Sequence, residues 1–305
     1  MSEIFSTTPL QLALALLLDL ILGDPRFFPH PAKWTGAMVL VLEKVLVKGL
    51  GRTVLAGGLL CGGIILFQVM VLAGLAWFLP SRWWWFVELW VIYQSFAAMD
   101  MQRHVRAILR PLRDGDLSQA RLRLSWIVGR DTANLSEPEI CRATVESVGE
   151  SACDALIAPL FWAAVAGPLG ALIYRVSNTL DSMVGHRGER YGKLGKISAR
   201  WDDVLNWIPA RLLAFLSSPY RWFTIAREAR EHRSPNAGWG ESAVAWVVGV
   251  RLGGENHYAG QQLHGPVFNP QGRQADQRAI VASLYWWWRM VITGILLMIA
   301  LCYLR

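Results

Sequence analysis

Residues 54–79 read VLAGGLLCGGIILFQVMVLAGLAWFL, a run without one charged side chain. A bilayer core of about 30 Å is crossed by about 20 apolar residues of helix, so this stretch predicts a membrane span. Its glycines (Gly57, Gly58, Gly62, Gly63 and Gly74) favour close approach of neighbouring helices. Pro80-Ser81-Arg82 makes a tight connection, and Trp83 to Met99, which contains Glu88, returns through the membrane. The two runs together read as a helical hairpin.

The whole composition agrees with that run. Of 305 residues, 53% are hydrophobic and only 17% charged, against about 25% charged in globular proteins. Sixteen tryptophans include the triplets Trp83-Trp84-Trp85 and Trp286-Trp287-Trp288, placed as an interfacial belt would have them. Tyr285 to Leu304 predicts a final span. The shorter run Leu10 to Leu22 carries Asp19, lacks the basic start and cleavage site of a signal peptide, and ends at Gly23-Asp24-Pro25. It reads as a retained membrane or interfacial helix.

Ala155 to Val176 is apolar enough to cross, yet Pro159, Gly167, Pro168 and Gly170 interrupt it, and 178–233 beyond it is again basic. A broken or re-entrant pair of half-helices satisfies both facts, because irregular backbone is tolerated at depth where protein covers it. Val204–Leu216 and Ala243–Leu252 are short for spans. The expected fold is therefore all-α: a polytopic integral membrane helical protein with re-entrant or broken helices and cytoplasmic polar segments. No linker divides it, so residues 1–305 read as a single membrane-embedded domain. Segments 24–53 and 100–153 carry the arginines and lysines flanking the hairpin, which by the positive-inside rule puts them in the cytoplasm and 80–82 outside.

The net charge of +7 is spread between apolar runs, and no nucleic-acid-recognition motif accompanies it, so a nucleic-acid partner is not expected. Cys61, Cys141, Cys153 and Cys302 form no C-x-x-C pair, which argues for reduced, buried thiols rather than disulfides or zinc.

Chemistry-bearing residues gather in a few places. Glu146, Glu150 and Asp154 step by four and share one helical face, where carboxylates could hold magnesium. A solvated face with Arg142 as ion-pair partner explains the spacing equally simply. Asn178, Asp181, Arg200, Asp202, Asp203, Asn206 and Arg211 sit at the ends of apolar segments, where ionisable groups are costly and usually functional. The stretch 185–196, GHRGERYGKLGK, mixes glycine with cations. It can approach a phosphate or lipid headgroups, but it lacks P-loop spacing. Turn residues at 125–131 and 234–241 read as connections and caps.

Taken in order, these strings resemble one family. They are LDLILGDPRFFPHP at 18–31, RLSWIVGRDT at 123–132, ATVESVGESACDALIAPLFW at 143–162, SNTLDSMVGHRGERYGKLG at 177–195, SARWDDVLNWIPARL at 198–212 and SPNAGWGESAVAWVVGVRLGGENHYAG at 234–260. The sequence is similar, over about residues 12 to 260, to the adenosylcobinamide-phosphate synthases, the CbiB/CobD-type membrane proteins of cobalamin biosynthesis. It departs at Ser151 and His186, where that family commonly has asparagine and tyrosine.

The resemblance implies a multi-pass enzyme of the bacterial inner membrane, with its active site on the cytoplasmic side. It would join an aminoalcohol, usually as its phosphate, to a propionate of the corrinoid adenosylcobyric acid, forming an amide with ATP hydrolysis and Mg2+. Other late cobalamin-pathway membrane enzymes are possible partners. The expected roles are Glu146, Glu150, Asp154, Asp181, Asp202 and Asp203 in magnesium binding or proton transfer. Arg130, Arg187, Arg190, Lys193, Arg200 and Arg211 would hold phosphates, and Asn178 and Asn236 would orient substrate. Two alternatives stay open: a non-catalytic membrane sensor or regulatory paralogue of the same fold, and a cobamide-related transporter, which would want paired repeats of spans.

Overall fold

The computed structural model describes residues 7–24, 30–186, 188, 190–258 and 260–304. Within them run α1 (Pro9–Leu22), α2 (Pro31–Leu50), α3 (Val54–Phe78), α4 (Ser81–Tyr93), α5 (Ala98–Arg113), α6 (Leu117–Leu124) and α7 (Glu137–Ala152). A π-helical turn, Cys153–Ile157, leads into α8 (Ala158–Val184), α9 (Lys196–Leu205), α10 (Trp207–Ser217), α11 (Trp222–Ala229) and α12 (Ala237–Val248). An antiparallel hairpin of β1 (Leu252–Tyr258) and β2 (Gln261–Phe268) precedes α13 (Gln277–Tyr303). The protein is a helical membrane protein. Among the described residues, the helical stretches Val54–Phe78, Glu137–Val184 and Gln277–Tyr303 are long and apolar enough to cross a bilayer.

Two compact units form. The first comprises Met1–Ala97, Ala158–Asn206 and Ile295–Arg305. Thr8 opens α1 with a reciprocal capping box to Gln11, and Gly23 closes it at φ 64. His30 caps α2 by accepting the Ala32 N–H through Nδ1 at 3.0 Å. Two buried polar pairs tie helices of this unit together: Gln11 Nε2 donates to Glu88 Oε2 at 2.7 Å, and Gln68 Nε2 to Thr35 Oγ1 at 2.7 Å. In α8 the helix breaks at Ala166 and Gly167, the latter at φ 65, before Pro168. Proline cannot donate its nitrogen to the helical ladder, and the predicted interruption lies there.

Two expectations for this unit change. The returning run Trp83–Met99 folds as a helix of 13 residues that ends at Tyr93, shorter than a crossing needs, and it packs on α1 and α8. Of the five α3 glycines, Gly57 makes the close approach, its Cα facing the Leu194 carbonyl so tightly that a Cβ would lie 1.8 Å from the oxygen. Gly62, Gly63 and Gly74 have open space instead, on a helix whose Leu66, Phe67, Trp77 and Phe78 are also exposed and so suited to lipid.

The second unit comprises Ala98–Ile157 and Trp207–Gly294. Here α7 and α12 meet backbone to backbone: a Cβ on Gly240 would lie 2.2 Å from the Gly149 carbonyl oxygen. The predicted tryptophan belt at 286–288 is largely internal. Trp286 and Trp287 are buried, and their indole N–H groups donate to Ser217 Oγ and the Ala98 carbonyl, both at 3.1 Å. Among the described residues of this unit the two strands form a single β-hairpin, bulged between Gly253 and Glu255, with Gly253 at φ 76 and Gly254 at φ 86.

Candidate functional site

In the second unit α7 presents Glu146 to the bulge of the hairpin. Its Oε1 accepts the Gly253 N–H at 2.7 Å and lies 3.4 Å from Arg142 Nη1, one turn before it. Its Oε2 accepts a hydrogen bond from Arg130, which comes from the segment between α6 and α7. Asn256 of β1 joins the two guanidiniums, its Oδ1 accepting from Arg130 Nη1 at 2.6 Å and Arg142 Nη2 at 3.0 Å. Arg142 also donates to the carbonyls of Gly253 and Glu255. The carboxylate is 4% exposed, the two guanidiniums 11% and 16%. Burial works to lower the Arg130 pKa, yet the adjoining Glu146 carboxylate raises it overall.

Beside this pair stands Glu241 on α12. Burial, then the charges of Glu146 and Glu150, push its carboxyl well above the usual range. His232 Nε2 lies 3.6 Å from Glu241 Oε1. Burial depresses the His232 pKa, and its Nδ1 accepts the Ser234 N–H at 3.0 Å. The same unit sandwiches Arg211 between Trp207 and Trp239, at 4.1 and 4.8 Å from the ring centres, and Arg211 Nη1 donates to Asn236 Oδ1 at 3.3 Å.

In the first unit, α8 and α9 bring Asn178, Asp181, Asp202 and Asp203 together. Asp202 is buried. One of its oxygens accepts from Asn206 Nδ2 at 2.9 Å, while Tyr174 donates to Asn206 Oδ1 at 2.9 Å. The other, Oδ1, is buried without a partner of hydrogen-bond geometry. Burial first, and then the Asp181 charge, push the Asp202 carboxyl up to about 7. Arg200 approaches Asp203 at 4.0 Å on the surface.

The remaining candidates separate. Arg190 turns to Glu43 on α2 at 3.2 Å, Lys193 is exposed, and Arg187 lies outside the described residues. Glu146, Glu150 and Asp154 do not present one uniform acidic face: Glu146 is buried, Glu150 exposed, and Asp154 half-buried in the π-helical turn, where the 3.6-residue period no longer holds. Glu241, Asn256 and Arg142 belong to the site although the sequence did not single them out for chemistry. Glu241 and Asn256 both lie in the 234–260 string, and their role depends on residues more than ninety positions away in the sequence.

Among the described residues no three His, Cys, Asp or Glu side chains lie together in a way that could hold a metal ion. Magnesium commonly keeps waters and takes one or two carboxylates together with substrate phosphates. Asp202, with a buried, unpartnered oxygen and Asp181 near, fits that role. Glu146, with both oxygens engaged by arginines and a backbone N–H, suits an anchor for guanidiniums better than a metal ligand.

The family model described as CobD/Cbib protein matches residues 12–286. The chain is 37% identical over 308 residues to the cobalamin biosynthesis protein CbiB of Salmonella choleraesuis, covering 94% of this chain and 95% of that one. The cobalamin biosynthesis protein CobD of Citrobacter koseri is 37% identical, covering 92% and 93%. CobD of Klebsiella pneumoniae is 39% identical, covering 85% and 86%. No solved structure matches the chain.

Proposed function

The chain belongs to the CobD/CbiB family of cobalamin biosynthesis proteins, and from that premise we propose that it is a membrane-bound, ATP-dependent ligase. It joins an aminoalcohol or its phosphate to the propionate of adenosylcobyric acid, giving adenosylcobinamide or its phosphate, at the cytoplasmic face of the inner membrane. A carboxylate is a poor acyl donor until its oxygen becomes a leaving group. ATP supplies that group by phosphorylating the propionate, and the free amine then displaces phosphate to leave an amide.

The observation that carries the proposal is the Arg130–Glu146–Arg142 cluster: two mostly buried guanidiniums held by hydrogen bonds to Glu146 and Asn256. Preorganised cations of this kind stabilise phosphoryl charge without reorganising during the reaction. Arg211, stacked on two indoles and steadied by Asn236, serves a second anionic group; Arg187, Lys193 and Arg200 offer further cations. Asp202 and Asp181 would hold Mg2+, which when bound neutralises phosphate charge. Asp203 and Glu241 would serve proton transfer, Glu241 with a carboxyl that burial and the Glu146 charge push well above the usual range. Asn178 would orient substrate beside Asp181 and Asp202.

The test is growth. A strain lacking this amidation step, supplied with cobyric acid, grows on cobalamin-dependent medium when it carries this chain, and Arg130→Ala abolishes that growth while membrane levels of the protein hold. No growth with the unaltered, well-expressed chain would favour a regulatory membrane protein of the same fold.

A further inference from the structure

Outside both clusters, a groove of about 510 Å3 lies in the second unit between α5 and the first turns of α13. Its rim carries Arg106, Arg110 and Arg113 together with one acid, Asp114. The three arginines repeat at steps of four and three, so they share a helical face. All three are exposed, and no ion pair engages them among the described residues. The floor is apolar, made by Leu109, Leu284 and Trp288. Trp288 is fixed there by donating to Gln102 Oε1 at 2.6 Å.

We propose that this groove seats the headgroup of an anionic phospholipid. Three observations select that occupant. The rim has a surplus of two positive charges, which calls for an anion. One wall is the beginning of α13, a helix long and apolar enough to cross a bilayer, so the groove opens where headgroups lie. Tyr285, 75% exposed on that wall, offers the amphipathic ring that membrane interfaces favour. A soluble anion would use the guanidiniums and leave Leu284 and Tyr285 without a partner, whereas a lipid uses both. Basic pockets beside membrane helices bind acidic headgroups in this manner.

Each basic residue near a charged membrane surface contributes about a fivefold preference for anionic lipid. With Asp114 subtracting one charge, the net expectation is roughly 25-fold at low salt, declining as salt screens it. The experiment is native mass spectrometry of the full-length protein in detergent, titrated with phosphatidylglycerol or phosphatidylcholine. Phosphatidylglycerol is expected to bind preferentially. R106Q/R110Q/R113Q removes the preference, R106K/R110K/R113K keeps most of it, and Lys44→Gln with Lys48→Gln on α2 leaves it intact. Equal binding of the two lipids by the unaltered protein overturns the proposal, as does a preference that survives R106Q/R110Q/R113Q. Displacement of phosphatidylglycerol by inorganic phosphate at comparable concentration would assign the groove to a soluble anion instead. Should the triple glutamine variant fail to fold, loss of the wild-type preference in high salt and the single variant R110Q decide the matter.

Discussion

Glu146 has the most tightly held carboxylate of the site, and its removal tests what that means. Glu146→Ala leaves Arg130 and Arg142 facing each other while mostly buried, a change that costs about 3–5 kcal/mol when a buried pair loses one partner. Thermal melting in detergent should fall accordingly, and further than for Glu150→Ala, whose side chain is exposed. A second residue gives a pH dependence. Burial, then the charges of Arg175 and Lys33, hold the His30 imidazole down to about 4, against about 6.5 when unfolded. Between those values the unfolded chain binds a proton the folded one refuses. The contribution of His30 to stability is thus complete above about 6.5 and lost as pH falls towards 4. Protonation also removes the Nδ1 lone pair that caps α2. His30→Asn keeps a capping acceptor and should flatten the melting temperature between pH 6.5 and 4; an unchanged slope would contradict this assignment. At this scale the sequence pointed to Arg130, Glu146 and Asp202 through local strings and segment ends. It could not show that Arg190 pairs with Glu43 across 147 positions, or that Glu241 stands beside Glu146.

Among the elements, the α7–α12 contact has the least room. Gly240→Ala would press a methyl group into the Gly149 carbonyl, and overpacking of this kind costs about 1–3 kcal/mol. It would also shift Glu241, the next residue, away from Glu146. The expected outcome is a lower melting temperature and a larger loss of product formation than that of Gly62→Ala, which meets open space on α3. The legibility of each element follows from what specifies it. The uncharged run of α3 and the Gly167-Pro168 break in α8 are local, so both were read directly. The hairpin was not: LGGENHY in β1 has no apolar alternation, and its pairing is set by the glycine bulge and by Arg142, which binds the strand's carbonyls. The Trp286–Trp288 triplet misled for the converse reason, since composition alone does not separate an interfacial indole from one buried against Ser217 and Ala98.

For the molecule as a whole, the account requires a basic cytoplasmic surface and chemistry carried out upon it. In a cysteine-free variant, a single cysteine at Ser118, which is exposed, should react with a membrane-impermeant maleimide. Ser118, within the arginine-rich segment, should react only from the cytoplasmic side. Labelling of that cysteine from the outer side would contradict this placement. The central claim is amide formation, and it has a direct assay. The purified full-length protein, in lipid nanodiscs with Mg2+, is given adenosylcobyric acid, aminopropanol phosphate and ATP, and the products are read by mass spectrometry. The account predicts a corrinoid heavier by the amine less one water, formed one for one with ADP and lost in Arg130→Ala. ATP left intact and adenosylcobyric acid unchanged, with the protein folded and both substrates bound, would contradict it.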